Sequence, residues 1–307
     1  MDKLGIDPRL LQLIQKLYSN TSCRIRLGRD GTLSEHVSTN RGVKQGCVLA
    51  PTLFNLFIND LAPLLANLDS HCPKIGSLPV PILLYADDMV LISRTKIGLK
   101  RLIQGCISYL HTTQLQLNFD KSKIIVFGKS WRPCSWQFGG RAIQQVKSFK
   151  YLGILFHYKH QWSTHRIAAL RTAKITTQAI IRFFYTQGAA YIPAALRVFN
   201  AKVVNQVLYG SQIWLSAFNI DVERIQSSFL YKIFGLPHCV SYAALCLEAG
   251  QYRLQFLLWI RFFKFWFRVC YLAESVPYFR GILTDFSHCS GYILLRQFNL
   301  LGSRRTF

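Results

Sequence analysis

Between Ile82 and Ser93 the chain runs Ile-Leu-Leu-Tyr-Ala-Asp-Asp-Met-Val-Leu-Ile-Ser: an apolar run, two adjacent carboxylates, and a second apolar run. Two short apolar runs broken by a polar pair read as a tight hairpin between two buried strands. Asp87 and Asp88 then stand where uncompensated charge is expensive, unless a cation arrives. Oxygen-rich anionic sites suit Mg²⁺, which is commonly held by one or two carboxylates plus substrate phosphates. Mn²⁺ is the alternative ion. Two such ions about 3.5–4 Å apart activate an attacking oxygen and stabilise a leaving one, which is the chemistry of nucleotidyl transfer. The plain alternative is a polar turn, since Asp is common in turns. An ATPase strand ending in an acid pair would need a GxxxxGK[ST] phosphate loop, and the sequence has none.

Charge narrows the class further. Lys and Arg number 37 against 14 Asp and Glu, a net +23. From Lys121 to Ile220 there is no acidic residue, while that stretch holds 14 Lys and Arg. Solvated faces normally mix both signs, so so lopsided a surface calls for a polyanion, and nucleic acid fits. The nine cysteines form no CxxC pair and no zinc spacing with His, so they read as reduced thiols, mostly filling core space. Met1 leads into a mixed polar helix rather than a signal peptide. The most apolar stretch, Leu254 to Leu272, carries Arg261, Lys264 and Arg268, which argues against a membrane span. Its crowd of Trp and Phe side chains reads as core or partner packing. An intracellular protein, nuclear or cytoplasmic, is expected.

Upstream of the acid pair lies Arg41-Gly42-Val43-Lys44-Gln45-Gly46-Cys47-Val48-Leu49-Ala50-Pro51. Glycines let the backbone approach a ligand, Lys44 and Gln45 offer a cation and an amide, and the following helix turns its positive end toward the same place. A purely structural strand-to-helix turn is the other reading.

Periodicity predicts a helix over Pro8 to Tyr18, capped by Asp7. A hairpin follows over Cys23 to Leu33, then a strand from Val37 toward Cys47. One helix is expected over Thr52 to Leu65, with Thr52 as its cap, and another over Gly98 to Thr113. Strands are expected at Lys123 to Phe127 and around Gly153. From Ser163 the chain is mostly helical, with breaks at Gly188, Pro193, Gly210, Gly235 to Pro237 and Pro277. This order gives an α+β region followed by helices.

Taken as an ordered set, RGVKQGCVLAP, TLFNLFINDL, LLYADDMVLIS, LQLNFDKSKIIVFG, FKYLGILF, VLYGSQIW and IQSSFLYKIFGLP resemble the reverse transcriptases of non-LTR (LINE-like) retrotransposons. The likeness covers roughly residues 4–250. It implies a partial right-hand polymerase palm, an antiparallel sheet with helices, followed by a helical thumb. The implied parts are fingers and palm over 1–157, thumb over 158–250 and a helical extension over 251–307. It implies RNA-directed DNA synthesis with an RNA template, a DNA primer and deoxynucleoside triphosphates, with other element-encoded proteins as further partners. Asp87 and Asp88 become metal-site carboxylates. Arg41, Gly42, Lys44, Gln45 and Gly46 become template and nucleotide contacts, and Lys123 a neighbour of the triphosphate. Lys150, Tyr151 and Gly153 fall in the primer-grip segment. Arg166, Arg171 and Lys174 fall on the thumb, where an ordinary solvated helix face is the competing reading. His157, His160 and His165 are read as surface or nucleic-acid contacts.

The family pattern also has a palm carboxylate on a separate strand upstream of Leu4-Gly5-Ile6-Asp7. Asp2, Asp7 and Asp30 all stand in the wrong context for it. The expectation is an N-terminally truncated polymerase with weak or no activity by itself. The alternative is an inactive nucleic-acid-binding remnant or co-opted module.

Overall fold

The computed structural model describes residues 5–280, apart from 29–30, 40–41, 69–71, 215–219 and 278. Arg41 therefore lies outside the described residues. The chain divides into two compact units, Met1–Lys74 with Pro79–Gln116, and Ile75–Leu78 with Leu117–Phe307. Compactness thus divides it differently from the expected family parts at 157/158 and 250/251. The class is mixed: helices with small sheets. Among the described residues strands pair only in twos, so the expected antiparallel sheet is a set of short ribbons.

In the first unit the helix Pro8–Tyr18 forms as expected, and the Asp7 carboxylate accepts the Arg9 N–H at 2.7 Å. Ser22–Cys23 pairs antiparallel with Val37–Ser38, and Arg26–Leu27 with Thr32–Leu33. The expected strand toward Cys47 is therefore only two residues long, and it folds back to lengthen the first hairpin. Thr21 and Thr39 close that ribbon through their hydroxyls at 2.8 Å.

The single helix expected over Thr52 to Leu65 is two helices, Ala50–Phe57 and Leu61–Ala66. Pro63 explains the break. Inside one long helix its ring would meet the carbonyl four residues back and remove a hydrogen bond. Restarting at Leu61 puts Pro63 in a first turn, where no N–H is missed. Thr52 does not cap. Leu49 holds the N-cap position without a side-chain bond, and Pro51 sits in the first turn.

Ile82–Tyr85 pairs with Asp88–Leu91. Ile82 is buried with Leu61, Leu65 and Leu102, and Leu84, Met89 and Leu91 pack around them. The strands are buried on one face, not both, since Leu83 is 41% exposed. A two-stranded ribbon lying on helices has one inner face, and alternation sends every second side chain outward. The next helix, Lys96–Thr112, begins two residues early because Thr95 caps it through the Gly98 N–H at 3.0 Å. Tyr109 donates to the Phe57 carbonyl at 3.2 Å, tying that helix to the end of Ala50–Phe57.

In the second unit Lys123–Ile124, shorter than expected, pairs in parallel with Gln144–Gln145. Ser148–Tyr151 pairs with Ile154–His157. The helices Ser163–Tyr185, Ile192–Phe199, Ile220–Phe234, Tyr242–Glu248 and Leu254–Ser275 share one core with shorter turns. Pro193 does not break the chain; it occupies the first turn of its helix. Phe199 and Phe229 stack at 4.1 Å in the middle. Leu254, Leu258, Phe262, Trp266, Val269 and Ala273 form the buried stripe of the last helix, while Phe265, Phe267 and Tyr271 face solvent. The aromatic crowd thus splits between core and surface. None of the described helices is long and apolar enough to cross a membrane.

That last helix is capped by a neighbour. Gln226 Oε1 accepts the Leu254 N–H at 2.8 Å and Glu223 Oε1 accepts the Gln255 N–H at 2.9 Å. Its first turn has no local cap, so these side chains satisfy N–H groups that would otherwise be orphaned.

Cysteines fill less core than expected. Cys72, Cys106 and Cys246 are buried, and burial pushes the Cys106 thiol up to about 11. Cys23, Cys134 and Cys239 are exposed free thiols.

Phe229 has no exposed surface, and deleting its ring leaves a cavity beside Phe199. Phe229→Ala is expected to cost roughly 3–5 kcal/mol, read as a lower denaturant midpoint with an unchanged slope.

Candidate functional site

At the tip of the Ile82–Leu91 hairpin, Tyr85 pairs with Asp88, leaving Ala86 and Asp87 as the whole turn. Two-residue hairpin loops need left-handed backbone, and Ala86 adopts φ +51° without being glycine. Such strain persists where the surroundings fix it. Here the fixing contact is the inner face of the hairpin on Leu61, Leu65 and Leu102. Both carboxylates are exposed. Among the described residues no group of three His, Cys, Asp or Glu gathers to hold a metal, so the acid set at this tip is Asp87 and Asp88.

The glycine turn belongs to the same unit. Gly42 and Gly46 take φ +81° and +80°. Lys44 O accepts the Cys47 N–H at 3.2 Å, and Cys47 O accepts the Ala50 N–H at 3.1 Å, so the turn winds into the helix Ala50–Phe57. Lys44 reaches back to the helix Pro8–Tyr18. Its ammonium donates to the Leu17 carbonyl at 2.9 Å and lies 5.6 Å from the Tyr18 ring. A helix C-terminus attracts a cation in this way. Gln45 and Val48 stand exposed, Val48 by 91%. Nothing in the spacing of Tyr18 and Cys47 signals that the two meet. The neighbouring Tyr18 hydroxyl, then the backbone N–H of Leu49, hold the Cys47 thiol below its ordinary value, and Cys47 in turn raises Tyr18.

In the second unit, Asn118 Oδ1 accepts the Lys121 N–H at 3.0 Å, and the Lys123 ammonium donates to the Asp120 carbonyl at 2.8 Å. Asn118, Lys121 and Lys123 therefore share one capped turn. Lys150 is exposed and Tyr151 half-buried on the Ser148–His157 hairpin. Its turn, Leu152-Gly153, is left-handed at both residues, φ +45° and +80°. The Tyr209 hydroxyl donates to the Leu152 carbonyl, and a Cβ on Gly153 would stand 2.7 Å from the Tyr209 ring. Tyr209 comes from the VLYGSQIW segment, so two motifs distant in sequence clamp each other. Arg171 and Lys174 are exposed on the helix Ser163–Tyr185, and Arg166 is half-buried.

One histidine departs from the surface reading. His165 is only 6% exposed. Its Nδ1 accepts the Leu155 N–H at 3.1 Å, and its ring meets Trp214 edge-on. Burial first, and then the charge of Lys150, depress its pKa. A helical position two residues after the start of Ser163–Tyr185, facing the hairpin, was the overlooked signal. His157 and His160 remain nearer the surface.

The geometry defines an exposed acid pair on the tip of a packed hairpin in the first unit, and a second unit rich in cations. Residues 1–156 match the family of reverse transcriptases (RNA-dependent DNA polymerases), just over half of the chain's 307 residues. The chain belongs to that family. Over 141 residues it is 36% identical to the Pol polyprotein of the type-2 retrotransposable element R2DM of Drosophila melanogaster, which covers 42% of this chain and 13% of that protein. It is 27% identical over 220 residues to the Pol polyprotein of a type-1 element R2 of Popillia japonica, covering 69% and 30%. It is 23% identical over 243 residues to the RNA-directed DNA polymerase of the mobile element jockey of Drosophila melanogaster, covering 75% and 25%. All three relatives are proteins of retrotransposable or mobile elements. The chain spans between 13% and 30% of their lengths.

Two outcomes follow from the second unit. Gly153→Val combines a β-branched residue at positive φ with a clash against Tyr209, and is expected to cost about 2 kcal/mol or more by thermal melting. Because folding lowers the His165 pKa from 6.5, the folded state binds fewer protons there. Its stability is full above about pH 6.5 and is lost as pH falls through that value toward the depressed one. Melting temperature against pH checks this, and His165→Asn should flatten that part of the profile.

Proposed function

We propose that this chain carries the catalytic core of an RNA-directed DNA polymerase of the non-LTR retrotransposon type, extending a DNA primer on an RNA template with deoxynucleoside triphosphates. The observation that carries the reading is the exposed Asp87–Asp88 pair on a packed two-residue hairpin, inside the stretch that matches the family.

The two carboxylates fit a divalent ion, because Mg²⁺ is held by one or two such groups with the rest of its shell from substrate phosphates and water. Asp87 and Asp88 would hold it, and once bound it would supply Lewis acidity for phosphoryl transfer. The remaining work falls to the chain's own groups. The glycine turn, with Gln45 and Gly46 at its exposed crest, is the surface for template and incoming nucleotide. Lys44, fixed on Leu17, sets the turn's position rather than ranging freely. Lys123 is a triphosphate neighbour, and Lys150, Tyr151 and the Gly153 turn serve the primer strand. Arg166, Arg171 and Lys174 neutralise backbone phosphates without reading sequence. In family terms, residues 1–157 are palm with part of the fingers and 158–250 are thumb.

A second reading, nucleic-acid binding with little or no synthesis, is favoured by one observation. The acid set at the tip is two carboxylates among the described residues. Primer extension on an RNA template with Mg²⁺ separates the two. Under the polymerase reading Asp87→Ala lowers extension at least about 10²-fold while template binding stays within about twofold. Extension indifferent to Asp87→Ala would remove the assignment, and binding without any extension would favour the second reading.

A further inference from the structure

The Ser148–His157 hairpin has two ends. Its turn is clamped on Tyr209. Its open end, about 13 Å away at 3.3 Å per residue, carries a different group of side chains. There the Lys147 carbonyl accepts the Tyr158 N–H, and the Tyr158 carbonyl accepts the Gly128 N–H, each at 2.9 Å. These bonds bring three separate stretches together.

The side chains they assemble are aromatic and cationic. Phe127 stacks on His160 at 4.4 Å, and Trp131 meets Tyr158 edge-on at 5.6 Å. Lys147 lies 5.7 Å from the Trp131 ring and Lys159 lies 5.8 Å from the Tyr158 ring. Phe127 is 45% exposed, and Lys147, Lys159 and His160 are exposed. No acidic residue occurs anywhere between Lys121 and Ile220 to neutralise the group.

Rings that are exposed (Phe127, His160) or partly exposed (Trp131, Tyr158), interleaved with cations on a stretch of sequence without acids, match what an unpaired nucleic-acid strand requires. Bases stack on the rings, and phosphates meet the cations. A duplex, whose bases already stack on one another, has little use for the rings. We infer that the surface formed by Phe127, Trp131, Lys147, Tyr158, Lys159 and His160 is a further nucleic-acid site that takes a single strand and shares no residue with the Asp87–Asp88 tip. It rests on the nucleic-acid reading of this chain but needs no catalysis.

The test measures equilibrium binding of fluorescent oligonucleotides on the order of 12 nucleotides long, as single-stranded RNA, single-stranded DNA and duplex DNA. The double variant Trp131→Ala, Tyr158→Ala should lose about tenfold or more in affinity for single strands and little for duplex. Trp131→Phe with Tyr158→Phe should restore most of it. The tighter of the RNA and DNA strands names the natural source. A folded alanine variant with unchanged single-strand affinity, or with an equal loss for duplex, overturns the proposal. Should the alanine variant not fold, Lys147→Glu with Lys159→Glu acts at two exposed positions. It should weaken single-strand binding and lower its salt slope by about one unit or more, and an unchanged slope overturns the proposal as well. Primer extension is read separately. Asp87→Ala should abolish synthesis while leaving single-strand affinity intact, so the two readings fail independently.

Discussion

Everything proposed for the acid pair depends on the seat of one hairpin. Ile82, buried with Leu61, Leu65 and Leu102, fixes which face of the ribbon is inward. A slip of one residue would turn that face outward. With the inner face fixed, the left-handed Ala86 and the two carboxylates at the tip have one place to be. Apolar contact sets the direction of charge here, and the strain in the turn is borne by the packing beneath it.

The second unit works on the opposite principle. Its core is a continuous aromatic and aliphatic cluster from Leu170 to Val269, and its surface between Lys121 and Ile220 lacks acids altogether. Ion pairing therefore does little to hold that stretch. Shape is kept by packing and by side-chain bonds to backbone, such as Tyr209 to the Leu152 carbonyl and His165 to the Leu155 N–H. The cations are left available to a polyanion.

Much of this was legible beforehand, for identifiable reasons. The Asp7 cap and the helix Pro8–Tyr18 are local, so pattern reading found them to the residue. The acid-pair hairpin was legible because two apolar runs flank a polar pair, whereas the exposure of its outer face was not. The break before Pro63 is not legible in the sequence, because its effect depends on where a helix restarts, which composition does not reveal. The strand toward Cys47 failed because a strand's length is set by its partner. His165 was misread because burial is a tertiary fact. Its ring is claimed by a hairpin ten residues upstream, and nothing in the spacing of three histidines says so. The Tyr18–Cys47 contact joins a helix end to a turn across 29 positions, beyond any local signal.

The last helix offers a consequence of its own. Its first turn borrows Glu223 and Gln226 from Ile220–Phe234 to complete its backbone bonds, and its buried stripe is a wall of the shared core. The dependence runs both ways: remove the helix, and Gln226 keeps only Tyr242 for its oxygen while Ile220–Phe234 loses a packing partner. What reads in one dimension as a C-terminal extension is in three dimensions a keystone. Any trimming of the molecule that stops short of Ser275 cuts into the structure it was meant to isolate.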